Sequence, residues 1–136
     1  MTPTVTPAPR GPLAHVLAAL AHPLCLAEVA LLLVNDHLLK AAWPGWLTGK
    51  LSDVAGLAFA PLLEALPLAL LPTARRGDRW LLWPAIAATG LWFAAAKTLP
   101  EVHEASLALL STLTGGPFTF QRDPSDLLAL PALLAA

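Results

Sequence analysis

The chain has 136 residues, of which 57% are hydrophobic and 12% are charged, with a formal net charge of -1 and a mean hydropathy of +0.66. A soluble domain is about 45–50% apolar and about 25% charged, so this composition fits neither an ordinary soluble domain nor a disordered chain. The net charge near zero and the pI near 6.4 also exclude the basic surface of a nucleic-acid-binding protein, and the single cysteine excludes an internal disulfide or a cysteine-only metal site.

Proline dominates the first twelve residues, where it occurs at positions 3, 7, 9 and 12. Proline lacks a backbone donor and fits no helix interior, so we expect a flexible tail over residues 1–12 and a single transmembrane helical domain over residues 13–136. A cleavable signal peptide is disfavoured because His15 interrupts its apolar stretch.

Three apolar segments are long enough to cross a membrane, which takes roughly 20 apolar residues. They run from Leu13 to Val34 with a kink or restart at Pro23, from Val54 to Pro72, and from Trp80 to Ala96. Two later apolar runs, over 105–114 and 127–136, reach only about 15 Å each as straight α-helices. We therefore predict an all-α fold, a small helical transmembrane bundle with three full spans, a short fourth span and an interfacial or re-entrant helix near 101–114.

Glycines in the second and third spans indicate how these spans pack. Gly56 and Gly90 each have an alanine four residues later. Small residues at this spacing let helix backbones approach closely in lipid. We therefore expect the second and third spans to contact each other through these two glycines.

The loop from Ala74 to Arg79 contains three arginines and sets the predicted orientation. The positive-inside rule places this loop and the N-terminus in the cytoplasm. The bare count of cations ties between the two sides, but those on the opposite side are interleaved with aspartates that can pair with them. Tryptophans flank both interfaces, as in an aromatic belt. The pattern predicts a multi-pass protein of the bacterial cytoplasmic (inner) membrane.

Most of the other ionisable residues fall on the outer side in this topology. The candidate ligand-binding residues are Asn35, Asp36, His37, Lys40, Lys50, Asp53, Lys97, Arg122, Asp123 and Asp126. His37 is the only histidine among them and the best candidate to titrate near pH 7. A short repeat places Ser52-Asp53 and Ser125-Asp126 ahead of apolar helices, although chance explains a match of about six residues equally well.

Helix capping is a competing explanation for several of these residues. Asp123 followed by Pro124 and, at the third helical position, Asp126 is a good helix start. Lysines at helix C-termini and aspartates at N-termini suit the helix dipole by about 0.3–1 kcal/mol each. Asp36 and Lys40 are four apart and can form a surface pair.

Two further carboxylates, Glu28 and Glu64, lie inside predicted spans. A charged carboxylate at mid-membrane costs about 2.5–3.5 kcal/mol, so each is expected to face the bundle interior, to be protonated or to have a partner. Glu28 and Asn35 are seven residues apart and share a helix face, so Glu28 could extend the polar site inward as a proton or ion path.

Three motifs carry a resemblance to known proteins: Asn-Asp-His-x-x-Lys at 35–40, Thr-Gly-Lys-Leu-Ser-Asp at 48–53 and Arg-Asp-Pro-Ser-Asp-Leu at 122–127. Together they resemble a family of small bacterial polytopic membrane proteins without an assigned function, over residues 24–134. The segment from Arg122 to Leu130 also resembles the stretch that opens the last helix of VanZ-like proteins, which implies a role with envelope lipids or glycopeptides. Leu130 stands where that pattern has asparagine.

The sequence contains no phosphate-binding glycine loop, no His-Glu-x-x-His motif and no cysteine pair, and cations beside the acids disfavour a metal, so we predict no cofactor and no metal. Three functions stay open. The first is binding of a small polar or anionic ligand, ion or lipid headgroup. The second is an enzyme acting on a lipid or cell-envelope headgroup, with His37 or an aspartate as general base. The third is a structural subunit of a membrane complex. A non-catalytic role is favoured, and the expected partners are membrane lipid and a homo-oligomer or larger membrane complex, without nucleic acid.

Overall fold

The computed structural model describes residues 11–71 and 79–136. Its α-helices are α1 (Pro12–Leu20), α2 (Pro23–Val34), α3 (Lys40–Ala42), α4 (Trp46–Ala69), α5 (Arg79–Thr98) and α6 (Pro100–Thr114). A π-helical segment, Asn35–Leu39, joins α2 to α3, and a 3₁₀ helix, Pro124–Ala135, follows α6. Every regular element in these two ranges is helical, which confirms the predicted all-α class.

Proline marks where several helices begin. Pro12, Pro23, Pro100 and Pro124 each occupy the first turn of a helix, where the missing N–H needs no partner. At the start of α2, the Nδ1 atom of His22 accepts a hydrogen bond from the backbone N–H of Leu24 at 3.3 Å. Here α1 and the helical stretch Pro23–Ala42 meet at a bend of 52°, so the predicted break at Pro23 is confirmed.

Helix α4 is the centre of the molecule, and α1, α2, α5 and the 3₁₀ helix all pack against it. At its C-terminal end Ala65 and Ala69 contact Val16 of α1 and Ala85 of α5. The second core cluster lies nearer the other end and consists of Leu57, Phe93, Ala129 and Leu133. Helix α6 folds back along α5, where Trp92 Nε1 donates a hydrogen bond to Ser106 Oγ at 3.0 Å.

The two glycines do not pack α4 against α5 as predicted. A methyl group added at Gly90 would lie 3.0 Å from Leu133 Cδ1, so the close neighbour of Gly90 is the 3₁₀ helix. A methyl group added at Gly56 would meet nothing within 4 Å. The reason is that the 3₁₀ helix contacts both α4 and α5 and takes up the close approach that the sequence pattern assigned to that pair.

Within the described ranges, α4 alone is a single helix long and apolar enough to cross a membrane. The bent stretch from Pro12 to Ala42 gives a second candidate if its two parts form one broken span. The three-span bundle is therefore not confirmed, and spans over α5 and the 3₁₀ helix stay predictions. The predicted helix near 101–114 is present as α6. The arginine loop lies outside the described residues, except for Arg79 at the start of α5.

The 3₁₀ form gives the last helix an unexpected length. Its 12 residues, Pro124–Ala135, rise by about 2.0 Å each and so reach about 24 Å, whereas an α-helix of the same length reaches about 18 Å. A run of this length is unusual for a 3₁₀ helix. It lets a short apolar segment lie along most of the α4–α5 pair.

Candidate functional site

Lys97, in the last turn of α5, is the centre of a buried group of charges. Its Nζ atom donates hydrogen bonds to Asp126 Oδ2 at 2.6 Å, to Asp53 Oδ2 at 3.1 Å and to the carbonyl oxygen of Gln121 at 3.1 Å. Only 3% of Lys97 is exposed. An ammonium group has three donors, so all of them are used within the protein.

Two aromatic rings complete the surroundings of this lysine. The Lys97 Nζ atom lies 5.3 Å from the ring centroid of Phe93 and 5.5 Å from that of Phe120, within the range of cation–π attraction. Phe120 in turn makes an edge contact with His103 of α6, at 4.6 Å between ring centroids. The chain after α6 thus returns to cover Lys97. Sequence analysis missed Phe93, Phe120 and Gln121, since no motif contains them.

Asp126 connects Lys97 to a second lysine. Its Oδ1 atom accepts a hydrogen bond from Lys50 Nζ at 2.5 Å, and the same ammonium group donates to Ser125 Oγ at 2.9 Å. The Lys50 Nζ atom also lies 5.3 Å from the ring centroid of Trp46. Lys50, Asp126, Lys97 and Asp53 therefore form a chain of alternating charges, which we call the ion-pair cluster. Its two positive and two negative charges cancel, as burial of charge requires.

A second polar group begins at Asn35, which is fully buried. Its Nδ2 atom donates hydrogen bonds to the carbonyl oxygen of Thr48 and to Ser52 Oγ, both at 2.6 Å. Ser52 Oγ donates onward to Asp36 Oδ1 at 2.6 Å, and Lys40 Nζ lies 2.7 Å from the same oxygen. Because Ser52 directly precedes Asp53 on α4, this hydrogen-bonded chain lies beside the ion-pair cluster.

Asn35 opens the π-helical segment, and its side chain is incompletely satisfied. Its Oδ1 atom is buried and accepts no hydrogen bond from the described residues. A buried polar atom without a partner costs about 1–3 kcal/mol. The carbonyl oxygen of Thr48 can only accept, so the Asn35 amide keeps its Nδ2 atom toward α4 and Oδ1 on the unsatisfied side. Such π-helical turns occur often at functional sites.

Local hydrogen bonds hold the starts of α4 and of the 3₁₀ helix. In the first turn of α4, Thr48 Oγ1 accepts from the Gly45 N–H at 3.2 Å and donates to the Gly45 carbonyl oxygen at 2.9 Å. Before the 3₁₀ helix, Asp123 Oδ1 accepts from the Ser125 N–H at 2.8 Å. This hydrogen bond holds the pKa of Asp123 below its ordinary value. Asp123 is thus a helix cap, as the capping explanation predicts. Asp126, in contrast, is buried and forms ion pairs with Lys50 and Lys97.

The structure brings most of the predicted site residues together, but not all of them. Seven lie in two neighbouring bonded groups, which together we call the polar network: Asn35, Asp36 and Lys40 in the first, and Lys50, Asp53, Lys97 and Asp126 in the ion-pair cluster. His37 and Arg122 are exposed and form no hydrogen bond or ion pair with a described residue. His37 is therefore not bonded to the cluster that it was predicted to share. It lies in the π-helical segment Asn35–Leu39, whose phase differs from that of the regular helix assumed in the prediction.

Comparisons with protein-family models, with curated proteins and with solved structures give no match for this chain. The resemblance to VanZ-like proteins thus rests on residues 122–130 alone. The function has to be inferred from the arrangement of the side chains.

Proposed function

We propose that the chain is a multi-pass protein of the bacterial inner membrane whose outer end binds a small anionic group of the phosphate class. The proposed spans are the bent stretch Pro12–Ala42, helix α4 and helix α5, with the 3₁₀ helix as a short fourth segment between them. Helix α5 has 20 residues, which is about 30 Å of α-helix, the thickness of the hydrocarbon layer.

The distribution of apolar side chains supports a lipid environment. Large apolar residues are widely exposed on the outside of the bundle, with exposed fractions of 73% for Leu91, 75% for Leu128 and 79% for Leu134. The polar side chains that are buried include Asn35 and Lys97. Water favours the opposite arrangement, because exposed apolar area costs free energy there and buried charge costs more. In lipid the exposed leucines cost nothing.

Two tryptophans support placing the polar network at a membrane interface. Trp43 lies in the turn before α4 and is 72% exposed, and Trp46 is the first residue of α4 and is 66% exposed. Lys50 contacts the Trp46 ring, so this turn is at the level of the ion-pair cluster. Exposed tryptophans favour the headgroup region. The cluster would then lie where α4 leaves the hydrocarbon layer, opposite the arginine loop.

The observation that carries the binding proposal is the unequal use of hydrogen-bond donors. Lys97 uses all three donors, Lys50 uses two and Lys40 uses one. Arg122, four positions before Asp126, uses none among the described residues. The ion-pair cluster is therefore neutral, and the unused donors on Lys40, Lys50 and Arg122 are the ones that we propose bind the anion. A guanidinium group suits a phosphate particularly well, because it can donate two parallel hydrogen bonds.

Binding of phosphate to the purified full chain in detergent tests the proposal. We expect inorganic phosphate, or vesicles containing phosphatidylglycerol, to raise the unfolding temperature of the protein, since a ligand that binds only the folded state stabilises it. Arg122→Gln should weaken binding about tenfold or more, because charge-assisted hydrogen bonds contribute about 1.5–3 kcal/mol. Arg75→Gln is the matched control, since the arginine loop is proposed to lie on the other side.

The pattern of responses identifies the source of the phosphate group. A response to phosphatidylglycerol but not to inorganic phosphate indicates a lipid headgroup, and a response to both indicates a soluble anion as well. Vesicles of phosphatidylcholine alone control for unspecific lipid effects. No response to any of these, or equal binding by Arg122→Gln, would overturn the proposal and favour a structural subunit.

A further inference from the structure

A second candidate site lies at the bend between α1 and α2, away from the polar network. It is a cleft of about 270 Å³ lined by His22, Cys25 and Glu28, by Leu62 of α4 and by Ala135 of the 3₁₀ helix. Its walls are mostly apolar. In the proposed topology this cleft lies within the hydrocarbon layer, because Glu28 is two helical turns from Asn35.

Glu28 has the only acidic side chain among the described residues that line this cleft, and that side chain has no partner in the described part of the chain. No hydrogen bond or ion pair with another described residue involves its carboxylate, and no lysine or arginine lines the cleft. The acids of the ion-pair cluster are each held by a lysine. A charged carboxylate at this depth costs about 2.5–3.5 kcal/mol, and either protonation or a bound cation removes that cost. A cation that takes the place of the proton would therefore be held by the carboxylate.

We propose that this cleft binds a small lipophilic organic cation, with Glu28 as its counter-ion. The alkyl or aryl groups of such a cation would contact Leu62 and Ala135, and its charge would face the Glu28 carboxylate. Mg²⁺ and Ca²⁺ fit the cleft poorly, because they require about six or more oxygen ligands and the cleft offers one side-chain carboxylate. The described histidines, cysteine and acids also form no group of three that could hold a metal ion. Ligand clefts typically measure about 300–1,000 Å³, so this one, at about 270 Å³, lies just below that range and suits only a small ligand.

The thiol of Cys25 can report whether the cleft is occupied. It is the single cysteine of the chain, lines the same cleft and is only 4% exposed. A bound cation would cover the thiol from the cleft side. The rate at which N-ethylmaleimide modifies Cys25 should therefore fall when the cleft is filled, which ties any binding that is measured to this place.

The test is a calorimetric titration of the full chain in detergent with benzyltrimethylammonium. We expect saturable binding, at least tenfold weaker binding by Glu28→Gln, and retained binding by Glu28→Asp, which keeps the charge. Glu64→Gln is the matched control, because Glu64 is exposed on α4 and does not line the cleft. The cation should also slow modification of Cys25 in the wild type.

Two results would overturn the proposal. One is equal affinity of the wild type and a folded Glu28→Gln variant. The other is binding of neopentylbenzene, the uncharged analogue of the probe, as tight as that of the cation. Neither result bears on the phosphate site, which the Arg122→Gln variant tests separately.

Discussion

Lys97 Nζ lies 2.6 Å from Asp126 Oδ2 and joins the end of α5 to the first turn of the 3₁₀ helix. The same ammonium group bonds Asp53 of α4, so one lysine fixes three segments of the chain. Without it, two carboxylates would face each other in a poorly solvated place. The ion-pair cluster therefore sets the relative positions of the segments at this end of the bundle.

Replacing this lysine should be far more damaging than replacing an exposed one. Lys97→Met leaves Asp53 without a counter-charge, and Asp126 keeps only its ion pair with Lys50. Breaking a buried ion pair in this way costs about 3–5 kcal/mol. In Lys40→Met the lost pair with Asp36 is about 40% exposed and contributes at most about 1 kcal/mol. Denaturant unfolding in micelles, followed by tryptophan fluorescence, measures both. Equal losses would show that Lys97 is not the centre of the cluster.

Asn35 should tolerate an apolar replacement better than an acidic one. Asn35→Leu removes two hydrogen bonds and the unsatisfied Oδ1 atom together, so we expect a loss of about 1–2 kcal/mol. Asn35→Asp places a buried carboxylate against the carbonyl oxygen of Thr48 and should cost several kcal/mol at neutral pH. The difference should shrink at acid pH, because the protonated acid can donate a hydrogen bond again. Unfolding free energies of the two variants across pH measure this, and a pH-independent difference would contradict it.

Sequence periodicity was sufficient to predict the helices and to gather the polar residues at one end. Apolar runs and prolines place α1, α2, α5 and α6, and the order of the elements brings Lys40, Lys50, Asp53, Lys97 and Asp126 to the same end. The start of α4 was predicted wrongly, because the helix begins at Trp46 and not at Ser52-Asp53, so that Asp53 lies inside it. The sequence also indicates that Asp123 begins a helix. These features depend on local rules of helix formation and on the order of the elements, both of which can be deduced from a single sequence.

The pairing inside the network could not be predicted in the same way. The π-helical segment changes the helical phase after Asn35, so a regular helix does not describe where Asp36 and His37 point. The 3₁₀ form of the last helix alters its length and brings Leu133 against Gly90. Phe120 and Gln121 reach Lys97 through the irregular chain after α6, and no periodicity describes such a segment.

The contact between the 3₁₀ helix and α5 predicts different outcomes for the two glycines. Gly90→Val should destabilise the protein by about 1–3 kcal/mol, since the added methyl groups would press against Leu133. Gly56→Ala should be neutral or stabilising by up to about 1 kcal/mol, because the site is open and alanine favours the helix. Thermal unfolding of both variants checks this contrast. Similar destabilisation by both would indicate that Gly56 packs closely after all.

Replacing Asp53 with asparagine distinguishes a binding function from a catalytic one. In Asp53→Asn, Lys97 keeps its bond to Asp126 while the cluster loses one negative charge, so we expect phosphate to bind about threefold to tenfold more tightly at low salt. If Asp53 were a general base, the variant would still bind but would lose turnover of a headgroup ester. Phosphate affinity and release of phosphate from glycerophospholipids, measured on the same preparation, separate the two outcomes. Loss of activity with unchanged binding would favour the enzyme alternative.

The most direct test of the proposed membrane arrangement is to measure on which side of the membrane each end of the bundle lies. In a Cys25→Ala background, Arg75→Cys and Arg122→Cys each supply one thiol, and intact cells are treated with a maleimide that cannot cross the inner membrane. We expect modification of the Arg122→Cys variant in intact cells and of the Arg75→Cys variant only after the membrane is opened. Modification of both variants in intact cells, of neither, or of Arg75→Cys alone would contradict a polar network at the outer face.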